Sequence, residues 1–250
     1  MKKILILAIT ASTVLLACDK ERNKEKEYNS EKAALHNGKV WTSAKVDKNG
    51  KPVSVSVIID DAGMNSVPVG QPSDHMSPAN NLLIPISEKS GTPFKFAMIN
   101  WNSSGHEPEH VYTLPHFDFH FYTATQNEVL NYMNEQKLEA APDDAYIPAN
   151  HIAGPGVPMM GKHFIDATSP ELGGQTFTQT FLYGSYDTKV VFWEPMITLD
   201  FLKNNSNFER PLPQPAKFRE AGYYPTRMKV SKQNGITKIS LDEFIYRQAS

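Results

Sequence analysis

His116-Phe-Asp-Phe-His-Phe-Tyr122 alternates polar and aromatic side chains without a break. On a β-strand successive side chains point to opposite faces, so Phe117, Phe119 and Phe121 share one face while His116, Asp118, His120 and Tyr122 share the other. The aromatic face requires a core. The polar face is then turned to water, to a barrel lumen or to a pocket.

The same two-residue period recurs on either side. Val53 to Ile59 alternates apolar and small residues after the turn Asp47-Lys-Asn-Gly50, with Val40 to Val46 before it, and predicts a hairpin. Further strands are expected at Leu82 to Ile86, Phe94 to Trp101, Val111 to Tyr122, Thr176 to Tyr183 and Lys189 to Trp193. A closing hairpin is expected at Arg227 to Lys232, Asn234-Gly235 and Ile236 to Leu241. Helices are few. Thr125-x-x-Glu128 is a capping box, and Val129, Leu130 and Met133 continue a helical stripe to about Lys137. A second helix is expected from Pro195 to Asn204, with proline in its first turn. With 18 Pro, 14 Gly and 13 Phe to distribute, the chain reads as mainly β (α+β): an antiparallel β barrel or sandwich with one or two short helices.

The N-terminus has a different character. Lys2 and Lys3 precede an apolar run from Ile4 to Leu16, interrupted by Thr10, Ser12 and Thr13 and too short for a transmembrane helix, which needs about 20 apolar residues. Met1 to Ala17 therefore reads as a signal peptide. Leu15-Leu16-Ala17-Cys18 resembles the lipobox of bacterial lipoproteins, which implies cleavage before Cys18 and lipidation of its thiol. Cys18 is the only cysteine, so no disulfide is available to the exported chain. Residues 18–32 follow as a charged tether, because Asp19 to Lys32 carries five acidic and five basic residues and almost nothing to bury. Residues 33–250 are expected to form a single β-rich domain, held to a membrane of the bacterial envelope by the lipid anchor. Net charge is −2 and pI about 6.4. That is no basic field for neutralising phosphates, so nucleic acid is excluded as a partner; a small-molecule ligand is left open.

Candidate chemistry collects around the polar row. Residues two apart on a strand are about 6.5–7 Å apart and can converge on one ion, whereas residues four apart, about 13 Å, cannot. His116 with Asp118, or Asp118 with His120, are the workable pairs. Zinc, the first choice among divalent transition metals, would need further ligands from elsewhere. His106 and His110 in Gly105-His-Glu-Pro-Glu-His110 lie just upstream, with His110 or Glu109 placed to come beside His116, and His163 is the other strong candidate. Glu194, before Pro195, reads either as a ligand or general base or as a charge at a helix N-terminus. Met159 and Met160 near His163 read as copper ligands or as packing, and Gly154-Pro-Gly156 as a tight turn or a ligand-lining loop. The row itself has two readings. One is a metal site in which a metal-activated water performs hydrolysis; the other is a hydrogen-bonded row in a non-catalytic, ligand-binding or self-assembling module. Motifs for a serine nucleophile, a zincin helix, a phosphate loop or a dinucleotide fold are missing.

Three blocks, His116-Phe-Asp-Phe-His-Phe-Tyr122, Gly161-Lys-His-Phe-Ile-Asp166, and Tyr183-Gly-Ser-Tyr-Asp187 through Phe192-Trp-Glu-Pro-Met196, resemble a family of exported bacterial proteins of unknown function. The resemblance covers roughly residues 80 to 205. It implies a β-rich fold, a tendency to form homo-oligomers, and no established activity. The paired-histidine strand of α-type carbonic anhydrases is similar in geometry alone, since Asp118 stands where that pattern has a histidine.

Overall fold

The computed structural model describes residues 24–71 and 81–250; the expected signal peptide and Cys18 lie outside the described residues. In chain order the strands are β1 (Lys26–Asn29), β2 (Ala33–Leu35), β3 (Gly38–Val46), β4 (Pro52–Asp60), β5 (Asn81–Pro85), β6 (Phe96–Asn102), β7 (His116–Tyr122), β8 (His151–Val157), β9 (Gly161–Asp166), β10 (Gln179–Tyr186), β11 (Lys189–Thr198), β12 (Asn207–Pro211), β13 (Gly222–Tyr224), β14 (Arg227–Gln233), β15 (Ile236–Asp242) and β16 (Ile245–Arg247). The helices among the described residues are α1 (Asp61–Ser66), α2 (Gln126–Leu130), α3 (Glu135–Glu139) and α4 (Leu199–Asn204).

Two antiparallel sheets form a sandwich, not a closed barrel. One runs β1-β3-β4-β15-β14-β12, with β2 beside β3, and the other β5-β6-β7-β11-β10-β9-β8. The aromatic row of β7 decides how they meet. Phe117, Phe119 and Phe121 are buried in one cluster with Trp193 and Ile197 of β11 and with Val55, Val57, Ile59, Val230, Ile239 and Leu241 of the opposite sheet. Each such side chain removed from water contributes roughly 1.5–3 kcal/mol, so a one-residue slip of β7, which would exchange the faces, is strongly disfavoured. The polar row consequently points to the outer face of the second sheet.

That outer face has a cover of its own. At one end Phe96, Met98, Tyr122 and Phe192 pack beneath Val129 of α2 and Leu138 of α3. At the other end Tyr112, Ile165, Phe177, Leu182 and Met196 form a third apolar cluster. The histidine row lies between them.

Both predicted hairpins are present, β3–β4 and β14–β15, the second joined by Asn234 and Gly235 at positive φ. Other expectations need correction. Helices number four among the described residues, not one or two. The capping box of Thr125 and Glu128 is formed, but its helix ends at Leu130, and a new one starts from the Asn134 cap. Leu130 and Met133 are exposed, so no continuous apolar stripe holds a longer helix together. The expected helix from Pro195 is strand as far as Thr198, which then caps α4. Pairing to β10 and β7 on either side overrides the local proline signal, with Pro195 opposite Phe181. Val111 to Pro115 is loop, and β7 begins at His116. Gly154-Pro-Gly156 is part of β8, an edge strand whose register shifts between Ala153 and Gly156; an edge and a bulge are where proline is tolerated. Part of the charged tether is also structured, because Lys26–Asn29 pairs with Ser43–Val46 as β1.

Candidate metal centre

Asn102 ends β6 and His116 begins β7 directly opposite it, so residues 103–115 must turn back over the strand ends. Gly105 makes the turn. Its φ is +73°, and a Cβ there would meet the Tyr112 carbonyl oxygen at 2.2 Å, so no other residue fits. The His106 N–H donates to that carbonyl at 2.9 Å, which locks the loop and aims the His106 imidazole down toward β7.

His106, His116 and Asp118 then converge, with one ligand atom from each lying within 4.8 Å of the others. His116 Nε2 is 3.2 Å from Asp118 Oδ1, and His106 Nε2 is 3.5 Å from Asp118 Oδ2. Asn102 on the neighbouring strand donates from Nδ2 to Asp118 Oδ2 at 2.7 Å. Both histidines have Nδ1 2.6 Å from a backbone carbonyl, Glu107 O for His106 and Leu114 O for His116. A carbonyl only accepts, so Nδ1 carries the proton and Nε2 is the ring nitrogen turned toward Asp118.

The second group is His120, His163 and Glu194, again within 4.8 Å of one another. Glu194 projects from β11 beside β7, with Oε1 3.4 Å from His120 Nε2 and Oε2 3.7 Å from His163 Nε2. The β7–β11 ladder pairs Trp193 with Phe121 and Met196 with Asp118 but lapses between them, where Pro195 has no N–H to give. Phe192 lies edge-on to both imidazoles, with centroids at 4.9 and 5.1 Å. Gly184 permits this: a Cβ there would fall 1.8 Å from the Phe192 ring.

His106, Asp118, His120, His163 and Glu194 line one pocket of about 590 Å³, and His116 is buried beside Asp118. Its walls include Pro155, Val157, Met160, Ile165, Leu182 and Met196, and Glu107 and Glu109 stand at its rim. Its described lining contains four carboxylates, Glu107, Glu109, Asp118 and Glu194, and no Lys or Arg.

Electrostatics divides the two groups. For Asp118, burial opposes ionisation, but His116 and His106 outweigh it and hold the carboxyl well below its usual range. The His106 imidazole is raised, burial again being outweighed by Asp118. Burial pushes Glu194 well above the usual carboxylate range, and the Asp118 charge adds to this. Burial lowers His120 to about 3, with His163 contributing, and lowers His163 to about 4. Several buried atoms in or beside the pocket have no hydrogen bond: Nε2 of His116, Oδ1 of Asp118, both ring nitrogens of His120 and Oε2 of Glu194. Orphaned buried polar atoms cost about 1–3 kcal/mol each. A cluster of this kind could hold a cation. Buried His and carboxylate groups at ligating distance are thus present on both sides of the pocket.

Of the predicted residues, Asp118, His120, His163 and Glu194 line this pocket, and His116 is fully buried beside Asp118. Glu194 lies mid-strand, so its alternative role as a helix N-terminal charge falls away. His110 does not reach the site. It has φ +66°, its side chain is 90% exposed, and it faces Glu109 at 3.7 Å. His106 takes that place, and the choice is made by the backbone at Gly105, which no periodicity reports. Tyr122 leaves the polar row by donating its hydroxyl to the Met160 carbonyl at 3.1 Å. Met160 joins the pocket wall, and Met159 does not. Asn102, which orients Asp118, carried no signal beyond its place at a strand end. Comparison with known protein-family models, curated proteins and solved structures gives no match.

Proposed function

We propose that this protein is a lipid-anchored lipoprotein of the bacterial envelope whose outer-face pocket holds a divalent transition metal and uses it in hydrolysis. The lipobox-like Leu15-Leu16-Ala17-Cys18 supports the anchor. One observation carries the metal reading: His120, His163 and Glu194 bring two imidazoles and a carboxylate together in an accessible pocket, with both ring nitrogens of His120, Nδ1 of His163 and Oε2 of Glu194 buried without a hydrogen bond. Two histidines and one carboxylate, with remaining positions open to water and substrate, form a ligand set used by hydrolytic zinc centres and by non-haem iron. Zinc at such a site lowers the pKa of its water toward 7, which supplies a nucleophile at neutral pH.

The pocket also suggests a substrate class. Without Lys or Arg in its described lining, and with Glu107 and Glu109 at the rim, it suits a small uncharged molecule, such as a carboxyl ester or amide, better than a phosphate. Water would add to the carbonyl carbon, the carbon–oxygen or carbon–nitrogen bond would break, and the proton released by water would pass to the leaving group. A purely structural hydrogen-bonded row is less well supported, because neither ring nitrogen of His120 has a well-formed hydrogen bond.

The test is elemental analysis of the full-length protein purified without chelator or affinity histidines. A transition metal near stoichiometry is expected, reduced in a folded His120→Ala variant. A folded protein free of metal, unable to take up zinc, would overturn the reading.

A further inference from the structure

The six converging ligands fall into two sets that one ion cannot serve. His116 and His120 are four residues apart on β7, about 13 Å along a strand, and their partners come from different places: a loop for His116, and β9 and β11 for His120. Each set has two imidazoles and one carboxylate, and each closes on itself within 4.8 Å.

The set at His106, His116 and Asp118 has the supporting contacts of a metal site. Metal-bound histidines nearly always donate their second ring N–H to a carbonyl or carboxylate, which fixes the tautomer and the ring direction. His106 and His116 both do so, to Glu107 O and Leu114 O. Asn102 holds Asp118 by donating to Oδ2, the oxygen that also faces His106. His116 Nε2 faces Asp118 Oδ1 across 3.2 Å, and neither atom has a hydrogen bond. An imidazole nitrogen and a carboxylate oxygen buried without hydrogen bonds are unfavourable unless positive charge lies between them.

We propose that the pocket holds a second divalent transition-metal cation, ligated by His106, His116 and Asp118, distinct from the ion at His120, His163 and Glu194. The proposal rests on the reading of the pocket as a metal centre and adds to it the ion count and the role of His106. Nitrogen and oxygen donors without sulfur select zinc, cobalt, manganese or ferrous iron over cuprous copper. Because His106 belongs to the loop that walls the pocket, this second ion also ties that loop to the sheet.

The decisive experiment titrates the chelator-stripped full-length protein with Zn²⁺, and in parallel with Co²⁺, whose absorption reports its ligand field. Wild type should bind two ions per chain. Asp118→Asn should bind one, with the spectrum of the His120 site; Glu194→Gln should bind one, with the spectrum of the other. His106→Ala, altered in a loop outside the core, should remain folded by circular dichroism and weaken one of the two sites by about 100-fold or more. Wild type saturating at one ion, lost in Glu194→Gln and retained in His106→Ala, would overturn the second site while sparing the proposed function; the positive charge at Asp118 would then be a protonated histidine. No uptake at all would overturn both.

Discussion

Glu194 Oε1 stands 3.4 Å from His120 Nε2 at the point where the ladder between β7 and β11 lapses around Pro195. The two residues belong to neighbouring strands, and both are buried. Burial keeps His120 from charging and pushes Glu194 toward its protonated form, so the pair is close to neutral without a cation. A divalent ion would reverse that by taking the carboxylate as an anion and the imidazole as a neutral donor, so metal uptake here displaces a proton from Glu194.

Metal should therefore stabilise the folded protein in a concentration-dependent way. At free zinc about 100-fold above the dissociation constant, one site contributes about 2.7 kcal/mol. For a chain of this size that amounts to roughly 5–10 °C in melting temperature. Scanning calorimetry with zinc, and then with a chelator, checks this; equal melting temperatures under both conditions would sink it.

The metal-free protein should lose stability in mild acid. His120 and His163, lowered to about 3 and about 4, stay neutral in the folded state while the unfolded chain takes up protons below about 6.5. A group whose folded pKa is depressed in this way loses its stabilising contribution as pH falls through the window from about 6.5 to 4. Glu194 acts in the opposite sense: its folded pKa is raised, so its contribution is complete below about 4.5 and is lost as pH rises. Two histidines against one glutamate leave a net fall in stability toward acid. Glu194→Gln removes the opposing group and should steepen that fall by up to about 1.4 kcal/mol per pH unit near pH 5.5. Urea unfolding at pH 6.5, 5.5 and 4.5 measures both slopes, and a shallower slope in the variant would contradict the assignment.

How much of this was legible in the sequence differs from place to place. The sandwich faces follow from Phe117, Phe119 and Phe121, because a strand's side-chain period is fixed by covalent geometry. The hairpins at Asp47–Gly50 and Asn234–Gly235 follow from local turn chemistry. Five of the six converging ligands were visible as residue types in apolar or alternating surroundings. Their grouping was not, because Glu194 meets His120 through the pairing of β11 with β7, and His163 arrives from β9 two strands further away. His106 was separable from His110 only through the positive φ of Gly105. The helix expected at Pro195 failed for a related reason: two flanking strands outweigh one residue's local preference.

Gly184→Ala should damage the pocket without touching a ligand. The added methyl would fall 1.8 Å from the Phe192 ring, and the ring would have to leave its place against His120 and His163. Overpacking of this kind costs about 1–3 kcal/mol. The expected variant is folded, less stable, and about tenfold or more weaker for metal at the His120 site. Unchanged affinity would mean that Phe192 does not position the imidazoles.

Substrate charge gives the most direct check on the chemistry. A phosphate ester needs basic side chains or spare cationic charge, and the described pocket lining has no Lys or Arg and four carboxylates, enough to balance two divalent ions. Entry past Glu107 and Glu109 also disfavours anions, more strongly at low salt, where the Debye length reaches about 30 Å at 0.01 M. Neutral p-nitrophenyl acetate or butyrate should therefore be hydrolysed by the zinc-loaded protein at least about 100-fold faster than p-nitrophenyl phosphate, a difference of about 2.7 kcal/mol in transition-state binding. A chelator should abolish the esterase signal, and zinc should restore it. Glu107→Gln with Glu109→Gln should narrow the preference without loss of bound metal, since neither residue belongs to a converging ligand set. A phosphatase rate equal to or above the esterase rate would remove the uncharged-substrate reading while leaving the metal site intact.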